Sequence, residues 1–268
     1  MVLYRFAIAS LGLLPVAIVH RVRLTVRQWM LVLISAALGV PLQFLLQFHG
    51  LALTTVSHAS LMVGTLPMLL AIAAVLFAGE RMDWIGWLAL AGSTVGTGLI
   101  VLFGRNRGGR SSLSGDLLIV LSLMISLAWI LLSKKLMKAH SPAAVTSYTI
   151  ILGAILLAVW VLTPWAMGHA AAPPFAQLSG KAWMALAVSG LLCTTTTTLL
   201  WNWGIHQVPA SRAGVFLNLE PAIGSILGVE LLGEHLGPYA WVGGGMLLAA
   251  AVVLTTRSQA MGSVPLIE

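Results

Sequence analysis

The sequence predicts an all-α polytopic membrane protein of nine transmembrane helices, arranged as two inverted-topology repeats of four and five helices. Composition, the spacing of apolar runs and an internal repeat carry that prediction. Of 268 residues, 59% are hydrophobic and 8% charged, with a mean hydropathy of +0.99; a soluble domain carries roughly 25% charge. The net charge of +7 invites a nucleic-acid reading. However, the 14 basic residues sit mostly in short breaks between apolar runs, where they set topology and meet anionic headgroups. The single cysteine, Cys193, lies inside an apolar segment and allows no internal disulfide.

A bilayer core needs about 20 apolar residues per helix. Apolar runs of that length fall at 3–20, 29–48, 58–78, 84–103, 115–133, 143–164, 182–203, 213–232 and 238–256. The opening stretch resembles a signal peptide, but no small-x-small cleavage site follows and "HRVR" comes at once, so it reads as a membrane helix. Proline, glycine and basic residues punctuate the breaks, as in "GERMD", "GRNRGGRSS" and "KKLMKAHSP".

Residues 49–87 and 203–241 repeat one another without a gap. At a fixed shift of 154, Gly50 meets Gly204, Ser57 meets Ser211, Pro67 meets Pro221, Gly79-Glu80 meets Gly233-Glu234, and Trp87 meets Trp241. The register leaves the helix at 115–133 without a partner before Met1. Five-helix repeats have an odd number of crossings, so two copies lie oppositely in the membrane. The expected division is a first repeat over 1–104, a linker over 105–114, a second repeat over 115–256 and a polar tail over 257–268.

Three stretches resemble the EamA-type transporters of the drug/metabolite transporter superfamily. They are "YRFAIASLGLLP", "GLALTTVSHASLMVGTLPMLLAIAAVLFAGE" and "WNWGIHQVPASRAGVFLNLEPAIGSILGVELLGE". The resemblance implies a ten-helix bundle from which this chain lacks helix one. Either the start codon lies upstream of Met1 or the chain is a nine-helix variant. It also implies a cytoplasmic C-terminus in a bacterial inner membrane. With that orientation nine basic residues face the cytoplasm and five, Arg5 among them, the far side, in keeping with the positive-inside rule. The three arginines of "GRNRGGR" run against it.

Within the spans, Glu220 draws notice first. It stands roughly 12 Å along its helix from Arg212, where a carboxylate costs about 2.5–3.5 kcal/mol on insertion scales. It should therefore face a wet cavity or the bundle interior, as a proton-coupling group. Pro221 frees the carbonyl of Leu217 as an acceptor, and Asn218 adds an amide nearby. The alternative is a protonated Glu220 bonded to a neighbouring helix beside a plain kink. In the first repeat Leu66 stands at that register and Pro67 keeps the helix break.

Gln43 and Gln47 share one helix face at i and i+4, and at the repeat register Gln47 and Phe48 meet Trp201 and Asn202. These groups line a shared cavity or serve helix–helix hydrogen bonding. Trp129 and Tyr148 are substrate walls or interface anchors. The five threonines Thr194 to Thr198 point all round a helix, and most bond back to the preceding turn and loosen it. Glu80 and Glu234, each after a glycine, read as helix stop and cap.

No metalloprotease, hydrolase-elbow or nucleotide-loop signature is present, so no enzyme activity, cofactor or metal site is expected. The leading expectation is a secondary transporter that exports a small organic metabolite, such as an amino acid, by alternating access. Membrane lipids and a second copy of the chain are the expected partners. A lipid-linked substrate flippase, or a protein that transports nothing for want of helix one, are the other readings.

Overall fold

The computed structural model describes residues 2–54, 59, 62–103, 112–168, 179–217, 223 and 238–261. The described residues are helical apart from short turns, with no strand among them. In chain order the helices are α1 (Val2–Val19), α2 (Val26–Ala37), α3 (Gln43–Leu53), α4 (Leu66–Ala78), α5 (Trp84–Phe103) and α6 (Leu113–Met137). They continue as α7 (Pro142–Ala166), α8 (Gly180–Gly190), α9 (Thr197–Gln207), α10 (Ala210–Leu217) and α11 (Pro238–Met261). Five continuous helices are long and apolar enough to cross a membrane: Val2–Val19, Val26–Leu53, Leu113–Met137, Pro142–Ala166 and Gly180–Gln207. Each covers a span expected from the apolar runs. The runs expected at 84–103 and 238–256 also fall on helices, α5 and α11.

Two of the long helices are interrupted midway by a π-helical segment, in which the backbone closes on the fifth residue back rather than the fourth. One is Leu38–Leu42, joining α2 to α3; the other is Leu191–Thr196, joining α8 to α9. Both helices start from an N-cap hydroxyl: Thr25 accepts from the N–H of Gln28, and Ser179 from the N–H of Ala182. The Gln28 side chain also accepts from the Thr25 N–H, which closes a capping box.

Two compact units emerge, each built from both halves of the sequence: residues 1–48 with 124–207, and residues 49–123 with 208–268. The first unit packs α1 and α2 against α7, and α1 against α8. Its core holds Phe6, Ala9, Leu13, Val40, Ile150, Ala154 and Leu157, all buried. Small residues permit the close approach. A Cβ on Gly190 would meet Ile8 and the Arg5 carbonyl oxygen at 2.8 and 2.9 Å, and one on Gly153 would meet Val40 at 2.5 Å.

In the second unit α5 packs on α11, and α4 on α10. The α5–α11 contact is backbone to backbone, since a Cβ on Gly96 would lie 2.6 Å from the Gly243 carbonyl oxygen. Gly79 ends α4 in the left-handed region at φ 67°, as the stop read from the sequence requires. Glu80 caps a helix, though not the next one in sequence: its Oε1 accepts the Ala210 N–H of α10 at 2.9 Å.

Candidate functional site

The elements of the first unit recur at the same shift of 154 that aligns the sequence repeat. Thr25 maps on Ser179, α2 on α8, the π-segment Leu38–Leu42 onto the second π-segment, and α3 on α9. Even the hydrogen bonds repeat. The N–H of Gln43 bonds the carbonyls of Leu38 and Val40, and that of Thr197 bonds the carbonyls of Leu192 and Thr194, the register equivalents.

The threonine run does bond back, as the sequence implies, but to carbonyls five residues away. Thr194, Thr196 and Thr197 donate to Ser189, Leu191 and Leu192 at 3.0, 3.1 and 3.0 Å. A hydroxyl on each carbonyl competes with the regular backbone bond and holds the wider turn open. Thr195 instead donates to the Ala9 carbonyl of α1 at 3.0 Å, tying the π-segment to its neighbour.

Arg5 meets this segment from α1. Its Nε donates to Thr194 Oγ1 at 2.6 Å and its Nη2 to the Cys193 carbonyl at 3.3 Å. Both acceptors stand roughly halfway along the 28-residue helix Gly180–Gln207, a depth that its place near the start of α1 conceals. The sequence reading counts Arg5 with the charges flanking the membrane. The offset between α1 and α8, set by the contact at Gly190, carries it inward instead.

The guanidinium borders a cleft of about 180 Å³ lined by Val2, Arg5, Phe6, Phe44, Phe48, Leu186 and Ser189. Its carbon lies 5.9 Å from the centre of the Phe44 ring, within cation–π range. Phe44 in turn stacks on Phe48 at 6.5 Å and takes the Phe6 ring edge-on at 4.9 Å. Among the described residues no carboxylate pairs with Arg5.

The residues singled out from the sequence distribute as follows. Gln43 closes the first π-segment, and its buried Oε1 has no hydrogen-bond partner among the described residues. Gln47 is half-buried one turn further along α3, while the cleft is lined by the adjacent face, Phe44 and Phe48. Trp129 lies flat against the first π-segment: a Cβ on Gly39 would come within 2.5 Å of its indole nitrogen. Tyr148 meets Trp29 edge-on at 5.8 Å. Trp201 is half-buried on α9, and Asn202 is buried, with Nδ2 donating to Thr146 Oγ1 at 2.7 Å.

Thus Trp129, Tyr148 and Asn202 each engage a neighbouring helix rather than one another. Pro67 occupies the first turn of α4, after a turn in which Thr65 Oγ1 donates to the Met62 carbonyl. Asn218, Glu220 and Pro221 lie outside the described residues. Arg5, Ser189 and Phe44 are the residues sequence reasoning missed, while the repeat register already groups Phe48 with Gln47. An arginine inside an 18-residue apolar helix was the available signal.

Comparison with known proteins places these features. Residues 1–102 and 113–256 match the model of the EamA-like transporter family. Among relatives, the uncharacterized transporter YwfM of Bacillus subtilis (strain 168) is 28% identical over 77% of this chain and 65% of its own length. The chain therefore spans just under two thirds of that relative. The uncharacterized transporter YetK of the same organism is 23% identical over 98% of this chain and 80% of its own. An uncharacterized transporter of Archaeoglobus fulgidus is 24% identical over 87% and 78%. A solved crystal structure superposes with a TM-score of 0.79 at 17% identity, over 98% of this chain and 88% of that one, a likeness of fold.

Proposed function

Because this chain belongs to the EamA-like transporter family, a family of transporters and not of enzymes, we propose that it is a secondary active transporter. It exports a small organic metabolite, such as an amino acid, across the bacterial cytoplasmic membrane by alternating access. The observation that carries this reading is the recurrence, at one fixed shift, of N-cap, helix, π-segment and helix. Two like-built halves that rock about a central axis need matched points of weakness, and π-segments interrupt the backbone ladder at matched positions of the repeat.

In this reading the repeats, 1–104 and 115–256, lie oppositely in the bilayer with the C-terminus in the cytoplasm. Glu220, with Asn218 and the carbonyl freed by Pro221, carries the coupling proton. Gln43, Gln47, Trp129, Tyr148, Trp201 and Asn202 border the route. The size of the Arg5 cleft suits a small metabolite better than a lipid-linked one.

The test is uptake of labelled amino acids into proteoliposomes under an imposed pH gradient, comparing the parent chain with Glu220→Gln. The substituted protein should fold and insert normally yet lose pH-driven flux. Unchanged flux at every pH would remove Glu220 from the mechanism.

A further inference from the structure

Arg5 carries a full charge to mid-helix depth in the first unit, and the protein meets it with two acceptors, a hydroxyl and a backbone carbonyl. A guanidinium has five N–H donors. Those on Nη1 and one on Nη2 remain without an acceptor among the described residues, and no described carboxylate balances the charge. Arginines at such depth pair with an anion or face water, because an unpaired charge away from bulk water is costly. A purely structural arginine would be satisfied by its surroundings; this one opens onto a cleft.

The cleft wall supplies the rest of a binding site. Ser189 adds a side-chain hydroxyl to the cleft lining. Phe44 and Phe48 present stacked rings, with Phe6 and Leu186 beside them. From these we infer that Arg5, Ser189, Phe44 and Phe48 form an anion site that takes the carboxylate end of a small carboxylic acid and packs its apolar end on the rings.

Charge selects carboxylate over phosphate. A single guanidinium neutralises one negative charge, and a phosphate dianion would leave a second unpaired in an apolar cleft. Geometry agrees, since Nη1 and Nη2 present parallel donors matched to two carboxylate oxygens. Size limits the apolar end: about 180 Å³ compares with the cavity of about 150 Å³ that admits benzene. One ring or one branched chain fits.

The inference deepens the transport reading and rests on it for its physiological meaning, so binding and flux are measured separately. Purified full-length protein in detergent is dialysed against labelled benzoate, with benzamide and inorganic phosphate as competitors. Saturable benzoate binding is expected, with neither competitor displacing it. Arg5→Gln should weaken it by about tenfold or more, and Arg5→Lys by less. Equal competition by benzamide or phosphate, undiminished binding to Arg5→Gln, or no saturable binding at all overturns the site. Should Arg5→Gln fail to fold, the benzoate–benzamide contrast on the parent chain decides alone. Arg5-dependent binding without flux in proteoliposomes would sink the transport reading and leave the site standing. Carboxylate flux untouched by Arg5→Gln would do the reverse.

Discussion

Leu38–Leu42 and Leu191–Thr196 hold the same backbone detour with different side chains. In the first, Pro41 has no N–H to offer the carbonyl four residues back, so the regular ladder breaks by omission. Gly39 then lets Trp129 lie against bare backbone. In the second, Thr195 stands at the register of Pro41, and three neighbouring threonines break the ladder by competition. Cys193, at the register of Gly39, is exposed. One copy is closed by an indole while the other receives Arg5. The comparison teaches that the turn belongs to the repeat, whereas what it faces belongs to each copy.

The largest test of that contrast is at the glycine. Gly39→Ala drives a methyl into the indole of Trp129 and should destabilise by about 3 kcal/mol, the upper end for overpacking. Cys193→Ala at the same register should be neutral in a detergent unfolding titration. Equal effects at both positions would erase the distinction between the copies.

Next comes Thr194, which among the described residues is the one threonine of the run that accepts from a charged group. Thr194→Val should cost about 2 kcal/mol, since a hydrogen bond to a charge is lost. Thr196→Val and Thr197→Val should each cost no more than about 0.6 kcal/mol, the average for membrane hydrogen bonds. Three equal costs would mean that Arg5 draws nothing from the turn.

The smallest effects fall where the copies agree. Thr25→Ala and Ser179→Ala each remove a cap worth about 1 kcal/mol; the bond from the Thr25 N–H to the Gln28 side chain is a backbone bond and survives the first. Amide exchange at the first turns of α2 and α8 should accelerate in parallel. A cap that matters in one copy alone would show that the shared register does not extend to energetics.

Much of this architecture was legible in the sequence. Apolar runs located the helices because a spanning segment must satisfy its own backbone and cover it with apolar side chains. The register of 154 was set by Pro67, Gly79-Glu80 and Trp87, yet the structural recurrence extends beyond the residues that defined it, to Thr25 and Ser179. The π-segments were not legible, because in a helix apolar on nearly every face the phase shift from one extra residue leaves no gap in the apolar run. Only the threonine run hinted at one. Arg5 was misjudged because depth depends on how α1 and α8 slide past each other, a tertiary quantity. Asn202 was read as cavity lining or as a helix–helix hydrogen-bonding group, and its Nδ2 donates across to Thr146. Glu80 was assigned a cap, but sequence adjacency named the wrong helix.

A turn closing on the fifth residue holds one residue more than a turn closing on the fourth. Everything beyond it therefore keeps the angular position it would have in a regular helix one residue shorter. Deleting a residue elsewhere in a spanning helix swings the downstream side chains by about 100°, taking core groups out to lipid. Within 38–42 or 191–196 the same deletion can be absorbed by tightening the turn, leaving Phe48 and Asn202 on their present faces with an axial slip of about 1.5 Å. These two segments are the fold's built-in slack.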